Sequence, residues 1–286
     1  AGHGIFFYNY YLSKITELEF KILKLFKKNV FMWFCGSDSR APYCGCDLYQ
    51  NDYEKMRDAC ITISNNVRMI EKYATLIDYP SSAHFHTKPY IISNTLGRPV
   101  DSSELMTENH VDSENNVVRI LHVPSKPQFK GTVEIRNIIN EIKEEGYSIK
   151  YTELTGVKHS EVLKQFANTD ILIDQMYSDI PLTGIGAEAS INGIPVVVGG
   201  YYAEQYQKTL AKPIPPTVFC LPEDLKSKLI YLICNKEARI EIGNAEKKFI
   251  NEYCLSNLVA KRFVAIIEGT EPESWWFKPE TSNYIY

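Results

Sequence analysis

Residues 171–198 decide the fold: Ile171-Leu172-Ile173-Asp174, then Gly184-Ile185-Gly186-Ala187-Glu188-Ala189, then Asn192-Gly193-Ile194-Pro195-Val196-Val197-Val198. Two short apolar runs flank a glycine-bearing segment. Ile171–Ile173 is too brief for a helix, and its continuous hydrophobicity marks a strand buried on both faces, ending at Asp174. Gly186 to Asn192 reads as a short helix, and Ile194 to Val198 as the next strand. A strand, a helix and a second buried strand form the repeating unit of a parallel sheet.

Working outward, the alternation continues. Val118 to Val123 reads as a strand stopped by Pro124. Thr132 begins a helix with Ile135, Ile138, Ile139 and Ile142 on one face, closed by Gly146. Ile149 to Leu154 reads as a strand, and Ser160 caps a helix through Phe166 with Glu161 in its first turn. Thr217 to Leu221 gives one more strand, and three helices follow as far as Ile267. The first part of the chain shows the same grammar. Ile15, Leu18, Ile22, Leu25 and Phe26 recur at helical spacing, and Val30 to Cys35 form an apolar strand bounded by Gly36. Cys60 to Ile63 reads as another strand, Asn65 to Tyr73 as a helix, and Ala74 to Ile77 as a third strand.

Between these parts, residues 94–117 are rich in Asn, Ser, Asp, Gly and Pro, the composition in which domain boundaries fall. The expected organisation is a partial first α/β domain over 1–95, a linker over 96–117, a second α/β domain over 118–270 and an aromatic tail over 271–286. The chain opens on Ala1 rather than Met, which leads us to expect that it begins inside a longer product.

Bulk properties narrow the function. The 286 residues suffice for two domains, and 44% hydrophobic with 23% charged residues suits a chain with a substantial core. A net charge of -4 without a block of either sign excludes a dedicated nucleic-acid binder. The seven cysteines lack a repeated knuckle spacing. Cys44-Gly-Cys46 with Cys35 could be a ligand cluster, yet a single intervening residue is tight and no second pair follows, so reduced thiols and no metal are expected. No apolar run reaches the ~18 residues of a membrane span, and no signal peptide is visible.

Open parallel sheets bind ligands at the carboxyl ends of their strands, so the loops after His122, Leu154, Asp174 and Val198 matter most. In the first loop, Pro124 to Thr132, a lysine and a glycine (Lys130-Gly131) precede a helix, where an ammonium and unpaired backbone N–H groups can meet an anion; a solvated surface lysine is the alternative. After Asp174, Gly184-Ile185-Gly186-Ala187 removes side chains where backbone could approach a diphosphate, and Glu188 lies a turn further on, able to accept from two ribose hydroxyls. A tight loop with a solvated glutamate is the alternative there. After Leu154, Gly156-Val157 could pin a nucleobase by backbone groups and apolar contact, and His159 is a ligand, a general base or polar surface.

His122 to Ser125, Lys130 to Thr132, Gly156-Val157, Asp170 to Gln175, Gly184 to Glu188 and Gly193 to Val197 occur together over about 80 residues. In this order they resemble the donor domain of bacterial glycosyltransferases of the GT-B fold, in the large retaining group (glycosyl transferases group 1, family 4-like). The resemblance implies two Rossmann-like domains. It implies that Lys130 binds the donor diphosphate, that Gly184 to Ala187 cradle phosphate and that Glu188 binds the ribose. One position departs from the pattern: eight residues before Glu188, where many members have a second glutamate, stands Ile180, with Asp179 beside it. Phe34-Cys35-Gly36-Ser37-Asp38-Ser39-Arg40 resembles the glycine-serine-aspartate segment of the acceptor domain, which implies acceptor or phosphate contacts for Asp38 and Arg40; a turn with a surface ion pair is the alternative. The family carries further strands before this segment, so the first domain is expected to be truncated.

The expected activity is transfer of a sugar from a nucleotide-sugar donor to a hydroxyl of a glycan or glycolipid, retaining, without metal or other cofactor, in polysaccharide biosynthesis. Lys130, Asp38 and Arg40 are the catalytic candidates, and Ser125, Lys130, Gly131, Gly156, Val157 and Gly184 to Glu188 the donor contacts. The alternatives are a nucleotide-sugar epimerase of the same fold and a nucleotide-sugar-binding subunit without activity. The expected location is cytoplasmic. Lysines 14, 21, 24, 27 and 28 and the aromatic tail (Trp275-Trp276-Phe277, Tyr284, Tyr286) allow peripheral association with the inner face of the membrane; a solvated helix is the plainer reading of the lysines.

Overall fold

The computed structural model describes residues 5–8, 17–36, 38–43, 52–101, 103, 117–209 and 213–279. Ile15, Lys14, Ser37, Cys44, Cys46, Tyr284, Tyr286 and most of the expected linker lie outside them. The described elements, in chain order, begin with β1 (Ile5–Tyr8), α1 (Glu17–Leu25), β2 (Asn29–Trp33), α2 (Tyr53–Ile70), β3 (Thr75–Asp78), β4 (Tyr90–Ile92) and α3 (Ser93–Leu96). They continue with β5 (Val118–His122), α4 (Pro127–Lys130), α5 (Thr132–Glu144), β6 (Ile149–Glu153), α6 (His159–Phe166), β7 (Ile171–Ile173), α7 (Gly184–Ile191) and β8 (Val196–Gly199). The last are α8 (Ala203–Thr209), β9 (Val218–Cys220), α9 (Leu225–Cys234), α10 (Lys236–Phe249), α11 (Ser256–Glu268) and β10 (Trp276–Phe277).

Two units result, one drawn from Ala1–Leu96 and Lys261–Tyr286, the other from Gly97–Leu210 and Ile214–Ala260. Each is Rossmann-like. In the first, the sheet runs β1-β2-β3-β4-β10, with β1 to β4 parallel and β10 antiparallel at the edge. Side chains alternate between its two covered faces, as the period of two along a strand requires. Val30, Met32 and Phe34 enter one core with Phe20, Val67 and Leu76, while Phe31 enters the other with Ile77, Ile91, Leu96 and Ile266. The aromatic tail contributes here: Trp275 and Trp276 pack on the second core, and Phe277 stacks on Tyr90 at 5.1 Å.

The second sheet is β6-β5-β7-β8-β9, parallel throughout. Ile120, Ile171, Ile173 and Val197 face one core, and Leu121, Leu172, Val196 and Val198 the other. This double burial is why these strands read as unbroken apolar runs.

Several local expectations are corrected. Cys60 to Ile63 is not a strand, and the helix expected from Asn65 begins far earlier: both belong to α2. Asp52 caps that helix by accepting the Lys55 N–H, and Ile63, Val67 and Ile70 pack on the core at helical spacing. Burial on this spacing outweighs the few tenths of a kcal/mol that each β-branched residue costs a helix. In α1, Phe20 is the buried residue and stacks on Tyr73, while Leu18, Ile22, Leu25 and Phe26 are exposed, so the stripe read from periodicity is not the core face. Ser160 lies inside α6, whose N-cap is Lys158 with Glu161 reaching back to its N–H. The short helix starts at Gly184 rather than Gly186, because Thr183 supplies the cap.

Candidate functional site

The carboxyl edge of the second sheet gathers three loops. The first follows β5. Pro127 opens the single turn of α4, and Gly131 ends it at φ +66°, the left-handed conformation that lets α5 start at once in a new direction. A side chain at Gly131 would meet Tyr177 Cε2 at 3.0 Å and Met176 Cγ at 3.1 Å, with Met176 Cβ closer still. The Met176 N–H donates to the Lys130 carbonyl at 2.9 Å, so the first loop is held directly against the loop after β7.

That arrangement sets Lys130. Its Nζ lies 3.2 Å from Asp174 Oδ1, with the lysine side chain 18% exposed and the aspartate side chain fully buried. The other Asp174 oxygen accepts the Thr183 hydroxyl at 2.6 Å. Thr183 is the N-cap of α7, its Oγ1 accepting the Gly186 N–H at 3.5 Å. One buried carboxylate therefore orients both the ammonium and the cap of the glycine-bearing helix. Below them His122 is buried: Nδ1 donates to the Ile173 carbonyl at 2.9 Å, which leaves Nε2 to accept the Thr132 hydroxyl at 3.0 Å. Burial holds the His122 imidazole below its usual range, so the ring is neutral and serves as a brace.

The glycine segment divides into two roles. A Cβ on Gly184 would meet nothing within 4 Å, whereas one on Gly186 would touch Val196, Leu182 and the Asp174 carboxylate at 3.5–3.8 Å. Gly184 thus borders open space, and Gly186 is packing. Ala187 is fully buried, and its N–H donates to the Thr183 carbonyl. The N–H groups of Gly184 and Ile185, in the first turn, have no intrahelical acceptor and carry the positive end of the helix dipole.

Glu188 is half-buried and lies 2.9 Å from His159 Nε2 through its Oε2. His159 opens α6, so this contact brings the Gly156-Val157 loop, itself exposed, beside Glu188. Ser125 is exposed in the first loop and has no contact that joins it to the cluster among those described. Ile180 stands half-buried after β7, its carbonyl accepting the Ser178 hydroxyl at 2.6 Å.

At the carboxyl edge of the first sheet a separate cluster forms. Both Asp38 oxygens accept the Cys35 N–H, at 2.9 and 3.1 Å. Burial, and then the Asp78 carboxylate, push the Asp38 carboxyl up to about 6. Arg40 folds back over the same turn: its N–H donates to the Gly36 carbonyl at 2.7 Å, and its guanidinium lies along Gly36. Asp78, fully buried at the end of β3, accepts the Tyr79 N–H and lies 2.7 Å from His86 Nε2. His86 is enclosed by Phe34 and Tyr90, and among the described residues its Nδ1 has no partner. Burial also lowers His84. Sequence reasoning missed Asp78, His84, His86 and the cap Thr183. A signal was present for Asp78: Leu76-Ile77-Asp78 repeats Leu172-Ile173-Asp174, a strand-terminal aspartate after the same apolar pair.

Comparison with known proteins adds the architecture. No family model matches the sequence, and no curated protein matches it. The solved structure of TarM superposes with a TM-score of 0.55 at 12% identity, over 91% of this chain and 54% of that one. The sucrose-phosphate synthase of Thermosynechococcus elongatus superposes with a TM-score of 0.53 at 13% identity, over 93% and 73%. The chain spans about half the length of TarM. At such identity the likeness is one of fold: the α/β architecture of two Rossmann-like domains, termed GT-B.

Proposed function

We propose that this chain belongs to a glycosyltransferase, with its second unit binding the nucleoside diphosphate of a sugar donor. The observation that carries the reading is the Lys130–Asp174–Thr183 chain, which holds an ammonium and a capped helix start together at the carboxyl edge of a parallel sheet. A diphosphate lying against Gly184 would find two backbone N–H donors and a lysine, the combination that recognises phosphate. Glu188, one turn along α7, would accept from the ribose hydroxyls, releasing His159. Gly156 and Val157 would face the base.

In the reaction the bond from the sugar anomeric carbon to the diphosphate oxygen breaks, and the electron pair stays on that oxygen. The acceptor hydroxyl oxygen bonds to the anomeric carbon and gives up its proton. Charge grows on the leaving diphosphate, so Lys130 and the α7 dipole lower the barrier by electrostatic stabilisation. This scheme asks for no metal. Asp38 and Arg40 of the first unit are assigned to the acceptor side, Asp38 as the carboxylate that takes the hydroxyl proton. Retention of configuration, with the acceptor oxygen entering on the face from which the diphosphate departs, a hexosyl donor, and a glycan or glycolipid acceptor complete the proposal.

Membrane-surface association is proposed as well. Leu18, Ile22, Leu25 and Phe26 are exposed on α1 and the turn after it, with Lys21, Lys24, Lys27 and Lys28 interspersed, a pattern suited to an anionic lipid surface. No helix among the described residues is long and apolar enough to cross a membrane.

Calorimetry with UDP, GDP, CMP and their sugars tests the donor site. One nucleoside diphosphate is expected to bind the parent chain and to bind Lys130→Ala and Glu188→Ala at least about tenfold more weakly, as for loss of a charge-assisted hydrogen bond. Equal binding by parent and variants would refute the site. Binding without transfer or hydrolysis of any labelled donor would refute the enzyme and leave a binding subunit.

A further inference from the structure

The second unit has another concave surface, at the opposite edge of its sheet. A groove of about 600 Å³ opens where β5 begins and where the chain enters β7 and β8, against one face of α10. That volume falls within the range of small-molecule sites. The groove exists because α10 crosses the turn between α7 and β8 at very close range. Gly243 faces Gly193 there, and a Cβ on Gly243 would lie 2.8 Å from the Gly193 carbonyl carbon and closer still to its oxygen. Backbone fills the crossing, and the longer side chains of α10 line the space beside it.

Those side chains are mostly basic. Lys236, Arg239 and Lys247 line the groove with Asn192 and Asn244. Among the described lining residues the one carboxylate, Asp170, is already neutralised by a two-pronged pair with Arg119, both bonds at 2.9 Å. Arg239 and Lys247 thus share a concave wall whose carboxylate is engaged with Arg119, which concentrates positive potential in the groove. Arg239 is preorganised, since its Nη1 donates to the Leu232 and Ile233 carbonyls at the end of α9. Lys247 and Asn244 have no side-chain partner among the described residues.

We propose that this groove binds a small phosphorylated, hydroxyl-bearing molecule such as a sugar phosphate. Arg239 and Lys247 take the phosphate, and the Asn244 amide takes a hydroxyl. Guanidinium and ammonium groups supply charge-assisted donors for phosphate, whereas amides both donate and accept and so suit hydroxyls. The site is independent of the donor reading, because it lies at the other edge of the sheet and shares none of its residues.

Cys234 lines the same groove and is exposed, which gives a local readout. The experiment measures the rate of Cys234 alkylation by peptide mass spectrometry, with glucose 6-phosphate, inorganic phosphate or glucose added. Glucose 6-phosphate is expected to slow alkylation about tenfold at ten times its Kd, by mass action. Inorganic phosphate should protect only at higher concentration, and glucose not at all. Protection should persist in Lys130→Ala and be lost in Lys247→Ala and Asn244→Ala, two exposed positions where truncation leaves the fold intact. Failure of all three probes to protect at 10 mM, roughly the weak end of specific binding, would overturn the proposal. So would protection unchanged by Lys247→Ala. Equal protection by phosphate and glucose 6-phosphate would overturn the hydroxyl recognition.

Discussion

Substituting Gly131 by alanine probes the turn that carries Lys130, and its cost can be worked out in two parts. The first is conformational: at φ +66° any L residue bears the left-handed penalty, about 1–2 kcal/mol. The second is steric. The new methyl would press on Tyr177 Cε2 at 3.0 Å and on Met176 Cγ at 3.1 Å. Met176 cannot give way easily, because it is buried and its N–H is bonded to the Lys130 carbonyl. Overpacking of this kind costs about 1–3 kcal/mol. The sum, about 2–5 kcal/mol, is a large fraction of the stability of a typical domain. Gly156 isolates the first part, for it has φ +70° and a methyl added there would meet nothing within 4 Å. Urea denaturation followed by fluorescence, with both variants compared to the parent chain, should place Gly131→Ala below Gly156→Ala by about 1–3 kcal/mol, the overpacking share alone. Equal losses would refute the close approach of the Lys130 turn to Met176, and with it the geometry assigned to the ammonium.

Glu246 is buried, accepts the Ser190 hydroxyl and the Val196 N–H, and has a carboxyl raised well above its usual range by desolvation. A carboxyl raised by folding contributes most below its unfolded pKa, and that contribution is lost as pH rises toward the folded value. Glu246→Gln should therefore gain in melting temperature relative to the parent between pH 4.5 and pH 7.5, while Glu246→Ala, which strands two buried donors, should lose about 2–5 kcal/mol at either pH. A Glu246→Gln difference that does not change with pH would contradict the shift. Asp38, raised to about 6, has the same sign: its contribution to stability falls as pH rises through about 6. In its proposed role as a carboxylate base, transfer should decline as pH drops below about 6, and Asp38→Asn should abolish that limb; a limb surviving in the variant rules Asp38 out. Replacing Leu25 and Phe26 by serine should weaken co-sedimentation with anionic phosphatidylglycerol vesicles without shifting the thermal melt, and undiminished co-sedimentation would dismiss α1 as the lipid-facing element.

The second unit was the more legible part. Its strands are buried on both faces, so their apolar runs are unbroken, and the loops between them carry the glycines and the lysine of the proposed anion site. Lys130, Gly184 and Glu188 could be proposed because open parallel sheets bind ligands in the loops after their strands. The division of labour around them was hidden. Gly184 and Gly186 look alike in sequence, yet one borders open space and the other packs on Val196. Asp174 reads as a strand end, and only folding brings Lys130 and Thr183 to its two oxygens.

In the first unit local pattern misled more often. Cys60 to Ile63 has the β-branched character of a strand, but the core that receives Val67 and Ile70 imposes a helix. The α1 stripe has good helical spacing, and Phe20 alone is fully buried because Tyr73 lies above it. Asp78 and His86 are eight residues apart and mean nothing together until β3 and the following turn enclose them. Sequence by itself determined the parallel α/β class, the strands of the second unit and the loops in which chemistry could reside, since periodicity, chain breaks and glycine are local properties. The tertiary structure decided which face of a helix is buried, which carboxylate meets which cation and where a groove opens, because those depend on groups distant in sequence being brought within a few ångströms.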